Sequence, residues 1–333
     1  MPALVTGASG FLGGHLAETL IDQGEEVFVL VRSSSSTSHL SHLPVRPIVG
    51  DLTDPASLQR AVAPVTRIFH CAACSTDWAP WETFFDANVT GTRNLLTAAA
   101  TAPRLERFVH VSTTDVYGYP AIPCDESQPM VDAGLPYNQT KRLGELAVWN
   151  AHQTGQLPVT IIRPATIYGP RGRDFTSEIA MLLRYHLMAT INGGSARGGF
   201  AYVNNVADAM IQASVAPSTI GQAYNIADAT NASWADYLRL FAAGLGHSGP
   251  WIDLSFETAV AFAKFFEAAH RVLKLQGRPL LTRHAVNLLG IDQEFPIDKA
   301  ASDFGFAPAV SLEEGIARAV AWVKHSRDET LAR

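Results

Sequence analysis

The sequence is poor in cysteine, in clustered charge and in long apolar runs. Its three cysteines, Cys71, Cys74 and Cys124, are an odd number at spacings that form no disulfide framework. That pattern fits a reducing, cytoplasmic setting. Cys71-Ala72-Ala73-Cys74 has the spacing of a metal or redox pair, but a structural zinc needs four ligands and no second pair follows. The stretch reads as small-residue packing at a strand end, with no metal site. Charged residues make up 17% of the chain and the formal net charge is −6. No basic run marks a nucleic-acid partner. No uninterrupted apolar run reaches the ~20 residues needed to span a bilayer, so no integral membrane segment is expected. The start has no charged n-region, apolar h-region or cleavage site, so no signal peptide is expected either. Internal repeats are absent, and the serine-rich residues 33–38 are the one low-complexity tract.

What is present is a regular alternation of strands and helices. The chain has 333 residues, 47% of them hydrophobic, enough for one or two domains with a large core. Ala3-Leu4-Val5 reads as a buried strand. It runs into Thr6-Gly7-Ala8-Ser9-Gly10-Phe11-Leu12-Gly13. The helix after it sets Leu12, Leu16 and Leu20 on one face and ends at Gly24. Val27 to Val31 is the next strand. A glycine turn between a strand and a helix lets backbone approach a pyrophosphate, and the helix N-terminus offers free N–H groups to it. The spacing GxxGxxG in this context marks a dinucleotide site built from Gly7, Gly10, Phe11, Leu12 and Gly13.

The ribose contact belongs at the end of the second strand. A carboxylate there would repel a 2′-phosphate. The sequence instead has Arg32 followed by Ser33, a bidentate guanidinium and a hydroxyl donor. The reading is NADP(H), with NAD(H) possible if Arg32 merely opens a solvated serine loop. Asp51 is placed to meet the adenine edge and Leu52 its face. Small residues at Ala72 and Ala73 leave room for the cofactor, and His70 reads as a packed, hydrogen-bonded strand residue. Residues 82–100 read as one long helix carrying Asn88. Strands at 108–111 and 159–162 continue the alternation, so the fold class is α/β, a doubly wound parallel sheet of the Rossmann type. Residues 1–165 are expected to form the dinucleotide-binding domain, with segments near 200–226 returning to it. Residues 166–333 are expected to form a smaller, mostly helical substrate portion. Within that portion, 255–275 is an amphipathic helix with Phe256, Phe262, Phe265 and Phe266. It reads as a lid or wall over the substrate, with ordinary packing or membrane-surface contact as the alternatives.

Tyr137 and Lys141 lie four residues apart and share one helix face. A phenol with a pKa of about 10 is a poor acid or base at neutral pH. A neighbouring ammonium lowers it, which suits proton transfer to a ketone or from an alcohol. A hydroxyl from Ser112 or Thr113, at the end of the strand before, completes the set. Trp78, Trp81, Tyr117, Tyr168 and the phenylalanines of 256–266 are candidate walls for an apolar substrate.

These motifs together resemble the extended short-chain dehydrogenases/reductases, also called the NAD-dependent epimerase/dehydratase superfamily, over nearly the whole chain. The resemblance rests on Gly7, Gly10 and Gly13, Asp51-Leu52, Ala72-Ala73, Asn88 with Gly91-Thr92, Ser112-Thr113 with Val116-Tyr117-Gly118, Tyr137 with Lys141, and Arg163-Pro164. In that family the catalytic hydroxyl lies four residues before the tyrosine of the VYG turn, which implies Thr113. The resemblance also implies Tyr137 as acid–base and Lys141 as its tuner and ribose ligand. Asn88 is implied as holder of a relay water or as a helix-bending residue, and Pro164 and Thr166 as cofactor neighbours. The Asp-Glu pair of sugar-nucleotide dehydratases is incomplete here, with Thr114 and Asp115. The asparagine that epimerases carry before their later Tyr-Gly-Pro turn is Thr166, and Asn204-Asn205 stand where epimerases more often have Asp-Asp. These departures, with the segment 77–82 and Leu280 to Arg283, are similar to the 3β-hydroxysteroid dehydrogenase branch. That branch implies hydride transfer to or from a secondary alcohol or ketone of a sterol-like or long-chain β-keto/β-hydroxy compound. A sugar-nucleotide epimerase with tightly held NAD, and a non-catalytic dinucleotide sensor, stay open as alternatives. A homodimer is the expected assembly by the same resemblance.

Overall fold

A computed structural model describes residues 1–120 and 123–331. In chain order the strands are β1 (Ala3–Thr6), β2 (Val27–Val31), β3 (Arg46–Val49), β4 (Arg67–His70), β5 (Arg107–Val111), β6 (Val159–Pro164), β7 (Thr166–Tyr168), β8 (Ala189–Ile191), β9 (Phe200–Tyr202), β10 (Gln222–Ile226) and β11 (Ile252–Leu254). The α-helices are α1 (Phe11–Asp22), α2 (Pro55–Val62), α3 (Trp81–Phe85), α4 (Gly91–Ala99), α5 (Pro136–Gln153), α6 (Ile179–Arg184), α7 (Val203–Val215), α8 (Trp234–Leu245), α9 (Phe256–Val272), α10 (Arg283–Gly290), α11 (Asp298–Phe304) and α12 (Leu312–Leu331).

Seven strands form one parallel sheet in the order β10-β6-β5-β4-β1-β2-β3. Strand β1 pairs with β2 on one side and β4 on the other, so the winding reverses beside it. In such sheets the crevice outside the carboxyl ends of the strands at this reversal is where ligands bind. The strands are apolar on both faces because helices cover both. Ala3 and Val5 pack toward α1 and α7, whereas Leu4 between them packs toward α2, α4 and α5. The segments near 200–226 return to the sheet, as β10 beside β6 and α7 against α1.

The helix expected over 82–100 comes in three pieces. A π turn, Asp86–Thr90, separates α3 from α4. Asn88 sits in that turn, where its carboxamide accepts from the Cys74 N–H (2.8 Å) and donates to the Thr140 hydroxyl (3.1 Å). The wider turn lets one side chain tie the loop after β4 to α5. Helix α5 comes so close there that a Cβ on Gly144 would lie 2.4 Å from the Asn88 carbonyl oxygen.

On its opposite side α5 is held by a buried ion pair. The Glu145 carboxylate pairs with the Arg163 guanidinium of β6, and both are buried. Glu145 also accepts from Ser112 Oγ (2.5 Å) and Trp149 Nε1 (3.0 Å). Arg163 donates to the Tyr117 hydroxyl (2.7 Å), which donates to Asn225 of β10 (2.8 Å). Removing one partner strands the other charge in the core, which costs about 3–5 kcal/mol. Glu145→Ala should therefore lower the unfolding free energy by about that amount, measured by urea denaturation. A loss below about 1 kcal/mol would fit an exposed pair instead.

Candidate active site

The site begins at the turn between β1 and α1. Gly7 has φ +72, and a Cβ there would lie 2.7 Å from the backbone nitrogen of Ala72. A Cβ on Gly13 would lie 2.4 Å from the Gly7 carbonyl oxygen. Only glycine allows this approach of turn, helix and β4 loop. No side chain caps the N-terminus of α1, so its first N–H groups are open to an anion. His70 holds the turn from behind. Its Nδ1 is 2.9 Å from Thr6 Oγ1, which accepts from the Ala72 N–H, and its Nε2 is 3.0 Å from Thr92 Oγ1. The Thr92 hydroxyl donates to the Asn88 carbonyl, so it accepts from His70, and Nε2 carries the ring proton. Burial and then the Lys141 charge lower the His70 pKa to about 3, so the ring stays neutral. This is the packed strand histidine expected from the sequence.

A cavity of about 1000 Å³ opens from this turn, at the upper end of the range for small-molecule sites. Gly7, Gly10, Phe11, Leu12 and Gly13 line its first part, followed by Arg32, Asp51, Leu52, Ala72 and Ala73. Ser33 does not reach it; Ser35 lines it instead. The loop turns back where the Ser35 N–H bonds the Arg32 carbonyl (2.9 Å). Asp51 accepts from the backbone and hydroxyl of Thr53, both at 2.8 Å. Those bonds, with some help from the Arg32 charge, hold its carboxyl below the usual range.

Thr113, Tyr137, Lys141, Pro164 and Thr166 line the middle. The order of strands brings them together: Thr113 follows β5, Tyr137 and Lys141 rise from the first turns of α5, and Pro164 ends β6. Thr113 accepts from the Asp115 N–H (3.2 Å), and its hydroxyl lines the cavity with the Tyr137 phenol. Lys141 Nζ donates to the Val111 carbonyl (2.6 Å). Burial lowers the Lys141 pKa to about 8, against the attraction of Glu145 one turn on. Tyr137 differs from the sequence expectation. Burial and the nearby Asp115 raise its pKa above the ordinary value, and the Thr113 hydroxyl offsets this only in part. The phenol is thus held neutral, with its proton on. Asn88 lies outside the cavity wall, in the π turn, its carboxamide committed to Cys74 and Thr140; this fits the helix-bending alternative rather than the relay-water one. Burial raises the Cys71 thiol to about 12 and the Cys74 thiol above its ordinary value, which keeps both protonated at neutral pH.

The far end of the cavity is apolar. Phe175, Ile179, Leu182 and Met188 face Leu280, Leu281, Leu288 and Leu289. None of the aromatic residues named as candidate walls from the sequence is among them; the reading of them as core or surface residues holds. Tyr168 belongs to an aromatic cluster with Phe200 and Tyr237, and Tyr117 stacks on Phe295. Trp78 packs under Arg271, and Trp81 lies against Phe85. The lid helix is also corrected. Helix α9 does not line the cavity, whereas α10 and the residues before it do. Arg278 bridges Asp77 (2.7 Å) and Glu178 (2.5 Å), and the Thr282 hydroxyl donates to Asp77 (2.6 Å). These contacts tie the residues leading into α10 to the cavity wall.

Two lining residues were not legible in the sequence. His284 of α10 packs its ring edge-on to Tyr137, with centroids 5.6 Å apart. Its Nδ1 lies 2.9 Å from the Tyr119 hydroxyl and its Nε2 3.7 Å from Asp115. Burial raises the Asp115 carboxyl. No sequence spacing links residues 115 and 284.

Fold and site together define an enzyme of the nicotinamide-dinucleotide oxidoreductase type. Residues 3–227 match the family model described as "NAD dependent epimerase/dehydratase family", and the chain belongs to that family. It is 32% identical to the 2-alkyl-3-oxoalkanoate reductase of Stenotrophomonas maltophilia, over 96% of this chain and 98% of that one. It is 32% identical to a 4-hydroxy-2-methyl-3-oxo-4-farnesyl-3,4-dihydroquinoline-1-oxide ketoreductase of Stigmatella aurantiaca, over 95% of each. A 3 beta-hydroxysteroid dehydrogenase/Delta 5-->4-isomerase of Mycobacterium tuberculosis is 30% identical over 94% of this chain and 88% of its own. Among solved structures, gox2253 superposes with a TM-score of 0.81 at 30% identity, covering 97% of this chain and 98% of that one. UDP-glucuronic acid 4-epimerase from Bacillus cereus, solved with NAD, shares the fold with a TM-score of 0.78 at 23% identity, covering 98% and 99%.

The Lys141 environment has a measurable consequence. Between about 8 and the ordinary 10.5, the unfolded chain binds a proton at this lysine that the folded chain lacks. Stability from this residue therefore rises with pH across that window. In cofactor-free protein, the stability of wild type relative to Lys141→Met should climb from pH 8 to 10 by up to about 3 kcal/mol. Chemical denaturation at stepped pH checks this; a flat difference would mean that the ammonium is solvated.

Proposed function

We propose that this chain is an NADP(H)-dependent reductase or dehydrogenase acting on a secondary alcohol–ketone pair of a hydrophobic substrate, sterol-like or of long-chain β-keto/β-hydroxy type. The observation that carries the reading is the continuity of one cavity. It runs from the glycine turn and Arg32, past Thr113 and Tyr137, into the chamber walled by Phe175, Ile179, Leu182 and Leu288. The open N-terminus of α1 and the clearance at Gly7 fit a pyrophosphate, and Arg32 fits a 2′-phosphate. Its guanidinium makes no ion pair among the described residues.

A bound nicotinamide supplies or takes the hydride. Tyr137 supplies the proton. Burial keeps it on the phenol, so the hydroxyl can donate to a ketone oxygen as negative charge develops there. Thr113, which lines the cavity beside Tyr137, is placed to donate to that oxygen and orient it. Lys141, fixed on the Val111 carbonyl, brings a cation of tunable charge to the floor of the site. In oxidation the phenolate accepts the alcohol proton instead.

The relatives named as a 2-alkyl-3-oxoalkanoate reductase and a ketoreductase support the ketone half of the reading. A nucleotide-sugar substrate needs cations free to meet its phosphates. In the cavity wall Arg171 pairs with Glu18, Arg173 with Asp174, and Arg278 with Asp77 and Glu178. That commitment favours the apolar substrate over the epimerase alternative.

Tyr137→Phe should lower kcat by about 10²–10⁴-fold and leave NADPH affinity nearly intact. Near-normal turnover would remove the proton-transfer role. Arg32→Ala should weaken NADPH by about 10–100-fold with little change for NADH, read by fluorescence titration of both. Equal losses would return the cofactor to NAD.

A further inference from the structure

Helix α9 carries two apolar stripes, and the fold uses one. Ala259 and Ala263 are buried, with Phe256 and Val260 packed beside them. The second stripe, Phe262, Phe265, Val272 and Leu273, recurs at helical spacing and faces solvent, with exposures from 46% at Phe262 to 78% at Val272. Leu275 and Leu280 extend it beyond the helix, both exposed. Ring contacts link Phe266 to Phe262 (6.4 Å) and Phe265 (5.7 Å), so the aromatics form a cluster. Contiguous apolar surface of this kind is unusual on a monomer and marks a contact.

The charges around the patch name the partner. Lys264, Arg271 and Lys274 are exposed along it, against one exposed carboxylate on the helix, Glu257. Glu267 is buried and pairs with Arg283 (2.9 Å) and with Arg271 (3.4 Å), so among the described residues Lys264 and Lys274 are the cations of the patch that pair with no carboxylate. The chain as a whole carries −6, so this is a basic face on an acidic protein. We propose that the exposed face of α9, with residues 272–280, docks on an anionic phospholipid bilayer. It would lie in the interface with the phenylalanines among the acyl chains and the lysines at the headgroups. No helix of the described residues is long and apolar enough to cross a membrane, so the contact is peripheral. A second copy of the chain suits the face less well, because a two-fold contact would set these cations against themselves. The patch also reaches the site: Leu280 lines the cavity and is 73% exposed. An apolar substrate could then pass from bilayer to chamber without crossing water. That last consequence rests on the proposed function; the lipid contact does not.

The test is flotation of the full-length protein with vesicles of phosphatidylcholine, alone or with roughly 30% phosphatidylglycerol, at low and high salt. Binding to the anionic vesicles should exceed that to neutral ones at least about fivefold and fall with salt. Phe265→Asp with Leu273→Asp should reduce it about 10-fold or more, with thermal midpoint and NADPH affinity unchanged. Lys264→Glu with Lys274→Glu should erase the preference for anionic lipid. No vesicle binding by wild type, or equal binding by the aspartate variant, would overturn the proposal. So would light scattering that finds a wild-type dimer dissolved by the aspartate variant, since the face would then be a self-contact. Failure of the enzyme on every apolar ketone tried would sink the functional reading and leave the flotation result standing.

Discussion

The buried pair of Glu145 and Arg163 is the constraint on which the site depends. It joins three elements that each deliver a functional group. Glu145 lies one helical turn beyond Lys141 on α5. Ser112, which donates to it, precedes Thr113, and Arg163 precedes Pro164. A salt bridge of this kind contributes little net stability, since desolvation of both charges offsets their attraction. Its effect is on position. An unpaired charge in the core is costly, so the register of α5 against β5 and β6 has few acceptable alternatives. Thr113, Tyr137 and Lys141 inherit that register. Asn88 and Gly144 fix the same helix from its other side, which leaves the phenol little freedom.

Burial also decides the chemistry of these groups. An ammonium at i+4 suggests a phenol tuned downward. In the folded chain the Lys141 ammonium is itself lowered, to about 8, and bonded to a carbonyl, while Tyr137 is raised. Burial is the largest cause at both groups, and at Lys141 it outweighs the attraction of Glu145. A neutral tyrosine suits the reductive direction, in which it must give up a proton. The pairing of Arg171, Arg173 and Arg278 with carboxylates works the same way. It keeps charge at the walls without presenting it to the substrate.

Much of this was legible from local pattern. The period-two and period-3.6 alternation, the glycine spacing and the tyrosine–lysine pair are short-range signals. Each reports a backbone constraint or a helix face that does not depend on distant residues. They placed every dinucleotide-side residue on the cavity except Ser33, whose loop turns back so that Ser35 takes its place. Aromatic content did not discriminate. Tyr117, Tyr168, Trp78 and the α9 phenylalanines look like pocket walls in sequence, since large apolar side chains serve equally for cores, pockets and surfaces.

The chain sequence by itself determined the parallel doubly wound sheet, the glycine turn and the residues that converge at the strand ends, because those leave local signals: apolar spacing, glycine spacing and helix faces. Only the tertiary structure decided what covers them. That α10 rather than α9 walls the chamber, that His284 meets Tyr137 and Asp115, and that Asn88 is a tie instead of a lining residue all depend on pairings between residues far apart in the chain. Such pairings are set by the competition of many apolar faces for one core, and no local spacing records the outcome.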